Sequence, residues 1–138
     1  MLVGLAGLLG SVAFPRAQST LQLTQYRNTM QQVAADLRVM RFRALNEGRH
    51  FAMRIDPSAR RLEVISMEFG SAAHECIERT RWLPAGFTVL EAPPQVTVLP
   101  SGAMEPAFIL TELPEFNRLF RLSVSADGVI SLREEPLT

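Results

Sequence analysis

The hydrophobic pattern of the chain changes twice, and each stretch predicts a different kind of element. Residues 1–14 read MLVGLAGLLGSVAF, with no charge and one hydroxyl, and Pro15 and Arg16 come directly after them. From Ser19 the apolar positions become periodic. Leu23, Tyr26, Met30, Val33, Leu37, Met40 and Ala44 are separated by steps of three and four, which sets them on one stripe of a helix. Gln22, Arg27, Asn28, Gln31, Asp36, Arg38, Arg41 and Arg43 lie between them, a polar surface expected to face water or partner subunits. Asn46-Glu47-Gly48 predicts the stop, because Gly48 can take the left-handed conformation that closes a helix. Pro15 removes one backbone bond and is expected to bend the helix without ending it.

After Gly48 the period falls to two. Phe51, Met53 and Ile55 alternate with polar or small neighbours, and Asp56-Pro57-Ser58-Ala59 is a turn into a second strand over 61–67, which predicts a hairpin. Further strands are expected over 87–91, 95–99, 107–113, 119–125 and 129–133, the last two joined by the turn Ala126-Asp127-Gly128. Prolines 84, 93, 94, 100, 106 and 114 sit between these runs, where a missing donor does least harm. Residues 70–80 read as a polar loop. At 138 residues the chain has the length of one domain and shows no internal repeat. The expected class is α+β: a long N-terminal helix packed on an antiparallel sheet or small sandwich.

Several stretches taken in order carry a family resemblance. They are VAADLRVMRFRALNEGR (33–49), FAMRIDP (51–57), LPAGFTVL (83–90), VTVLPSGAM (96–104) and RLFRLSVSADGVISL (118–132), preceded by an apolar helix with a proline after it. Together they resemble the GspH/FimT pseudopilins over nearly the whole chain. The resemblance implies a pilin-like subunit, with a helix stored in the bacterial inner membrane and a periplasmic β-rich head. Such a subunit joins the pseudopilus of type II secretion or a type IV pilus. Its implied partners are other pilin or pseudopilin subunits, met through a helix bundle and head contacts, and the inner-membrane assembly platform. It implies no enzyme activity and no cofactor. Family members open with a basic leader, a glycine at the cleavage point, then a phenylalanine and a glutamate; none of these stands before Leu2 here.

The apolar start admits three readings. A helix of fourteen residues is ~21 Å long, and a bilayer core of ~30 Å needs about twenty apolar residues. A signal peptide could be cut after Ala13, since Ser11-Val12-Ala13 has small residues at both required positions, but no basic region precedes it. A buried helix of a soluble protein would carry Gly4, Gly7 and Gly10, weak helix formers in water. A membrane helix whose first residues precede Met1 agrees with the one-faced helical pattern from Ser19 onward. On that reading Leu2, Val3, Leu5, Leu8, Leu9, Val12 and Phe14 face lipid, and Gly4, Ala6, Gly7 and Gly10 allow close helix contact. The division is then 1–15 membrane part, 16–48 amphipathic helix and 49–138 head. The helix packs on the head through Tyr26, Met30, Val33, Leu37, Met40 and Ala44.

Composition removes most other functions. The chain has 14 arginines, no lysine, 14 acids and one cysteine, so its formal charge is zero. Cys76 has no partner within the chain for a disulfide. Without lysine, Schiff-base chemistry and the phosphate-binding loop are excluded. A neutral balance argues against nucleic acid, even though Arg38, Arg41 and Arg43 cluster on the helix and Arg60-Arg61 lie in a turn. His74, Cys76 and Glu78 would share one strand face beside Glu75, but so small a set in a polar segment is no zinc motif, and no metal is expected. Ser101 in Pro-Ser-Gly reads as a turn serine, His50 abuts the first strand, and Glu134-Glu135 reads as a solvated end. No catalytic constellation emerges.

Overall fold

The structure is a computed structural model that describes residues 2–67 and 75–137, with side chains from residue 20 onward. Helix α1 (Leu2–Glu47) runs unbroken through Pro15 for 46 residues, about 69 Å at the standard rise. Gly48 closes it with φ +65° and donates its N–H to the Ala44 carbonyl at 3.0 Å. Among the described residues, no helix is long and apolar enough to cross a membrane.

Among the described residues, eight strands come after it: β1 (His50–Asp56), β2 (Arg61–Met67), β3 (Glu75–Trp82), β4 (Thr88–Glu91), β5 (Gln95–Val98), β6 (Ala107–Leu113), β7 (Arg118–Val124) and β8 (Ile130–Pro136). They form two antiparallel sheets of four, ordered β3-β2-β1-β5 and β4-β6-β7-β8. The β1–β2 hairpin pairs Phe51 with Ser66, Met53 with Val64 and Ile55 with Leu62. The β7–β8 hairpin turns at Gly128, whose φ is +86° and whose N–H reaches the Ser125 carbonyl at 3.0 Å. A left-handed residue there suits glycine, which has no Cβ to clash with the chain.

One cluster of buried side chains joins helix and both sheets, with Leu37, Phe51, Phe87, Val96, Leu113 and Phe120 at its centre. Alternation explains the membership: inward positions of each strand are buried and outward ones solvated, as in β6 and β7. Each buried leucine or phenylalanine adds about 1.5–3 kcal/mol.

Strand β3 corrects the expectation of a polar loop over 70–80, residues 68–74 lying outside those described. Residues 75–82 carry ECIERTRW, almost wholly exposed, at the edge of the first sheet. An edge strand with both faces wet has no apolar alternation to betray it. A register irregularity between Val64 and Ile65, opposite Glu78, further blurs the period. The end of β8 is a second correction: Glu134 is no solvated tail, since Arg27 grips it with two bonds of 2.7 and 3.0 Å.

Candidate functional site on the outward face of the helix

Helix α1 has two faces of different character, and the inward one carries the head. Met30, Val33, Leu37, Met40 and Ala44 are buried in the common core, and Tyr26 packs partly buried against it. The Tyr26 ring meets Phe87 edge-on at 5.1 Å and lies 5.8 Å from Phe116. Gly86 makes this approach possible, because a Cβ there would stand 2.8 Å from the Tyr26 hydroxyl oxygen.

Arg27, Asp36, Arg38, Arg41 and Arg43, five of the eight polar residues flanking the stripe, bind the head, where the pattern predicts water or partner subunits. Asp36 is buried, and it accepts hydrogen bonds from Arg79 Nη1 at 2.9 Å, Arg81 Nε at 2.7 Å and Arg81 Nη2 at 3.2 Å. Arg81 also donates to Gln32 at 2.7 Å, so β3 is strapped to two turns of the helix. Arg38, which the pattern turns outward, reaches the Ile130 carbonyl at 3.1 Å and caps the free edge of β8. Arg41 donates to the Gly102 carbonyl at 3.1 Å and lies against Gly128, while Leu45 covers Gly102. Arg43 bonds Glu47, stands 3.7 Å from Glu78 and stacks 4.9 Å over the Phe51 ring. Its hydrogen bond to Glu47 lowers the Glu47 carboxyl below its ordinary value and raises the guanidinium. The Glu134 hydrogen bond raises Arg27 likewise. Exposed pairs of this kind contribute little each, but together they fix the helix's rotation about its axis.

The opposite face is open and carries an apolar stripe among polar residues such as Asn28 and Asn46. Val39 is 55% and Phe42 66% exposed, with Ala35 beside them and Leu21 59% exposed further toward the N-terminus. At about 100° per residue, Val39 points ~200° away from Leu37, and Phe42 lies within a turn of it on the same outer side. The spacing Ala35, Val39, Phe42 is a second stripe, masked in the sequence by the stronger one on the other side. Leu2, Val3, Leu5, Leu8, Leu9, Val12 and Phe14 lie on the first part of the same helix, where side chains are outside those described.

Chemistry at this site is packing and hydrogen bonding. A cleft of about 190 Å³ lies between helix and sheet, with Met40 and Val64 inside and Asp36, Arg43, Glu78 and Arg79 at its rim, where half-exposed Val39 marks the border between the cleft and the outer face of the helix. Its charges are already matched: Glu78 accepts from the Ser66 hydroxyl at 2.8 Å and neighbours Arg43. Of the metal-capable set, His74 falls outside the described residues and Cys76 is exposed. Among the described residues, no three histidine, cysteine or carboxylate groups converge on a point where an ion could sit. Ser101 lies in the turn closed by the Gly102 N–H and Leu99 carbonyl, its hydroxyl accepting from the Ala103 N–H. His50 opens β1.

No protein-family model matches the chain, and no curated protein matches it by sequence. Its three-dimensional form does match solved structures. The minor pseudopilin EpsH of the type 2 secretion system of Vibrio cholerae superimposes with a TM-score of 0.65 at 22% identity, over 78% of this chain and 94% of that one. The type IV minor pilin FimU of Pseudomonas aeruginosa does so with 0.64 at 17% identity, over 81% and 90%. The fold of the chain, a long helix packed on antiparallel sheets, is therefore the pilin-like α+β fold of such subunits.

Proposed function

We propose that the protein is a minor pseudopilin, a structural subunit of a type II secretion pseudopilus, that assembles through α1. One observation carries the reading: a pilin-like head is fixed rigidly to a helix that exposes Val39 and Phe42 on the face turned away from it. Large apolar side chains exposed on a helix stabilise an assembly more than a monomer, and a second helix packs on them ridge into groove. In this reading residues 1–15 are the membrane part, 16–48 bridge to the head and 49–138 form a periplasmic head. Lipid holds Leu2, Val3, Leu5, Leu8, Leu9, Val12 and Phe14 until neighbouring pilin helices replace it. The straps at Asp36, Arg41 and Glu134 then make any movement of the helix a movement of the head.

The test is a chromosomal Phe42→Asp, Val39→Asp pair in the producing bacterium. The variant is expected to accumulate with a folded head in the inner membrane and to be missing from sheared filaments, with exported enzymes retained in the periplasm. Normal filament incorporation would refute the helix interface. Lost surface pili with intact secretion would favour the second reading, supported by the likeness to FimU: a minor pilin of a type IV pilus. Release of the full chain by alkaline extraction would refute the membrane assignment and favour a secreted domain.

A further inference from the structure

The outer face of the second sheet carries an arrangement that its own stability does not explain. Strand register places Arg121 of β7 directly opposite Arg133 of β8. Burial alternation turns both outward, since Phe120, Leu122 and Ile130 occupy the inward positions. Residues directly opposite on antiparallel strands have Cα atoms about 4.5–5.5 Å apart, and like charges so placed repel. Among the described residues, neither guanidinium makes an ion pair or a hydrogen bond. Arg27 and Arg54, by contrast, have each taken an acid within reach.

The neighbours complete a surface. One step along the same face, Ser123 and Ser131 pair across the hairpin and share a hydrogen bond of 2.6 Å. Phe108 of β6 pairs with Ser123 and is 58% exposed; Leu110 pairs with Arg121. One step the other way stand Glu112 and Glu135, both opposite Leu119. The face thus sets two guanidiniums that make no ion pair between exposed Phe108, in a row with the serine pair, and two carboxylates.

We propose that this face is a docking surface for a partner protein that presents a carboxylate next to an apolar side chain. The carboxylate lies between Arg121 and Arg133, where two guanidinium forks can each offer paired N–H donors, and the apolar group covers Phe108. Charge complementarity selects the occupant. Glu112 and Glu135 flank the pair, so an extended polyphosphate laid over the sheet meets as much repulsion as attraction, whereas a single carboxylate fits the space. The cost of removing water from two adjacent guanidiniums is offset when an anion joins them, which is why a like-charge pair can persist on an interface.

The test uses the full chain in mild detergent and the probe peptide acetyl-Leu-Phe-Ser-Glu-Leu-amide, in which an extended backbone puts the one carboxylate and the ring on the same face, against the same peptide with glutamine for glutamate and against a 20-nucleotide single strand. The acidic peptide is expected to bind at least tenfold tighter than its glutamine counterpart. Arg133→Glu should abolish that preference while raising the urea midpoint, since it turns a repulsive cross-strand pair into an attractive one. Phe108→Ala should weaken both peptides several-fold with the preference kept. Arg121→Gln, which keeps size and polarity, should lose most of the preference and guards against a folding defect in the first variant. Equal binding of the two peptides, no effect of Arg133→Glu on a folded chain, or tighter binding of the oligonucleotide would each overturn the proposal.

Discussion

Removing the carboxylate of Asp36 is the sharpest probe of how helix and head are joined. Its side chain is 8% exposed, that of Arg81 19% and that of Arg79 60%, so the two contacts differ in value. The Arg79 contact sits in water on one side and should contribute ~0–1 kcal/mol. The paired bonds from Arg81 are charge-assisted and mostly dry, worth ~1.5–3 kcal/mol, and the loss leaves a half-buried guanidinium with only Gln32. Asp36→Ala is therefore expected to lower stability by ~2–4 kcal/mol, a large share of the ~5–15 kcal/mol typical of a domain. Arg79→Ala should lower it by no more than ~1 kcal/mol.

The reporter is already in place, because Trp82 is the one tryptophan and ends β3 next to Arg81. With urea slopes of ~1–3 kcal/mol per molar, the Asp36→Ala midpoint should fall by about 1 M or more, read from Trp82 fluorescence in detergent. A double-mutant cycle of Asp36→Ala with Arg81→Ala should show a coupling above ~1 kcal/mol, whereas the cycle with Arg79→Ala should show less than half of that. If Asp36→Ala and Arg79→Ala moved the midpoint equally, the strap would be an ordinary surface ion pair and the rigidity argued for the helix would fail.

Two smaller predictions test the rest of the head. Thr111 is fully buried in β6 and its hydroxyl has no hydrogen-bond partner among the described residues; Thr111→Val should raise stability by at most ~1–3 kcal/mol of relieved desolvation, read as a higher thermal midpoint, and a lower midpoint would mean that buried water serves the hydroxyl. Asp127 has its carboxyl lowered below the ordinary value of 3.8 by the Ser125 hydroxyl first, then its own N–H and the nearby Arg41. A lowered carboxyl adds stability above its unfolded value and loses it as pH falls through the folded one. Asp127→Asn should therefore flatten the fall in stability below about pH 4, and an unchanged acid limb would show that the turn contributes nothing to it.

The hairpins and the inward stripe were legible because each has a strong periodic signal. Strands β2 and β6 lie where alternation placed them, and Met30, Leu37 and Met40 occupy the core side at helical spacing. Strand β3 was illegible for the opposite reason: ECIERTRW has neither face buried, and its stability comes from pairing with β2 and from bonds to Asp36 and Arg54. Asp36 could not be read as buried either. On a helical wheel it lies about 100° from Leu37, at the margin of the buried stripe, and only the arginines that meet it across the fold offset the cost of burying it. The second apolar stripe is hidden by its polar flanks, since Arg38 and Arg43 lie on either side of it at helical spacing, although both reach toward the head, Arg38 to the Ile130 carbonyl and Arg43 to Glu78 and the Phe51 ring.

Two places on this surface keep residues that a free-standing monomer would do better without. An acid at position 133 would pair with Arg121, and a polar residue at position 42 would spare water a large ring. Neither replacement would disturb the core, because both side chains point outward. Such local conflicts with stability concentrate where a surface serves something else. The two lie on separate elements, one on α1 and the other on β8, with no shared hydrogen-bond or ion-pair partner among the described residues. Their substitutions should then combine additively. A Phe42→Asp, Arg133→Glu double variant should show the stability change of each alone, summed to within about 0.5 kcal/mol, and should lose both assembly and peptide preference. Strong non-additivity in stability would mean that the two faces communicate through the head, and that one conflict is resolved inside the monomer by the other.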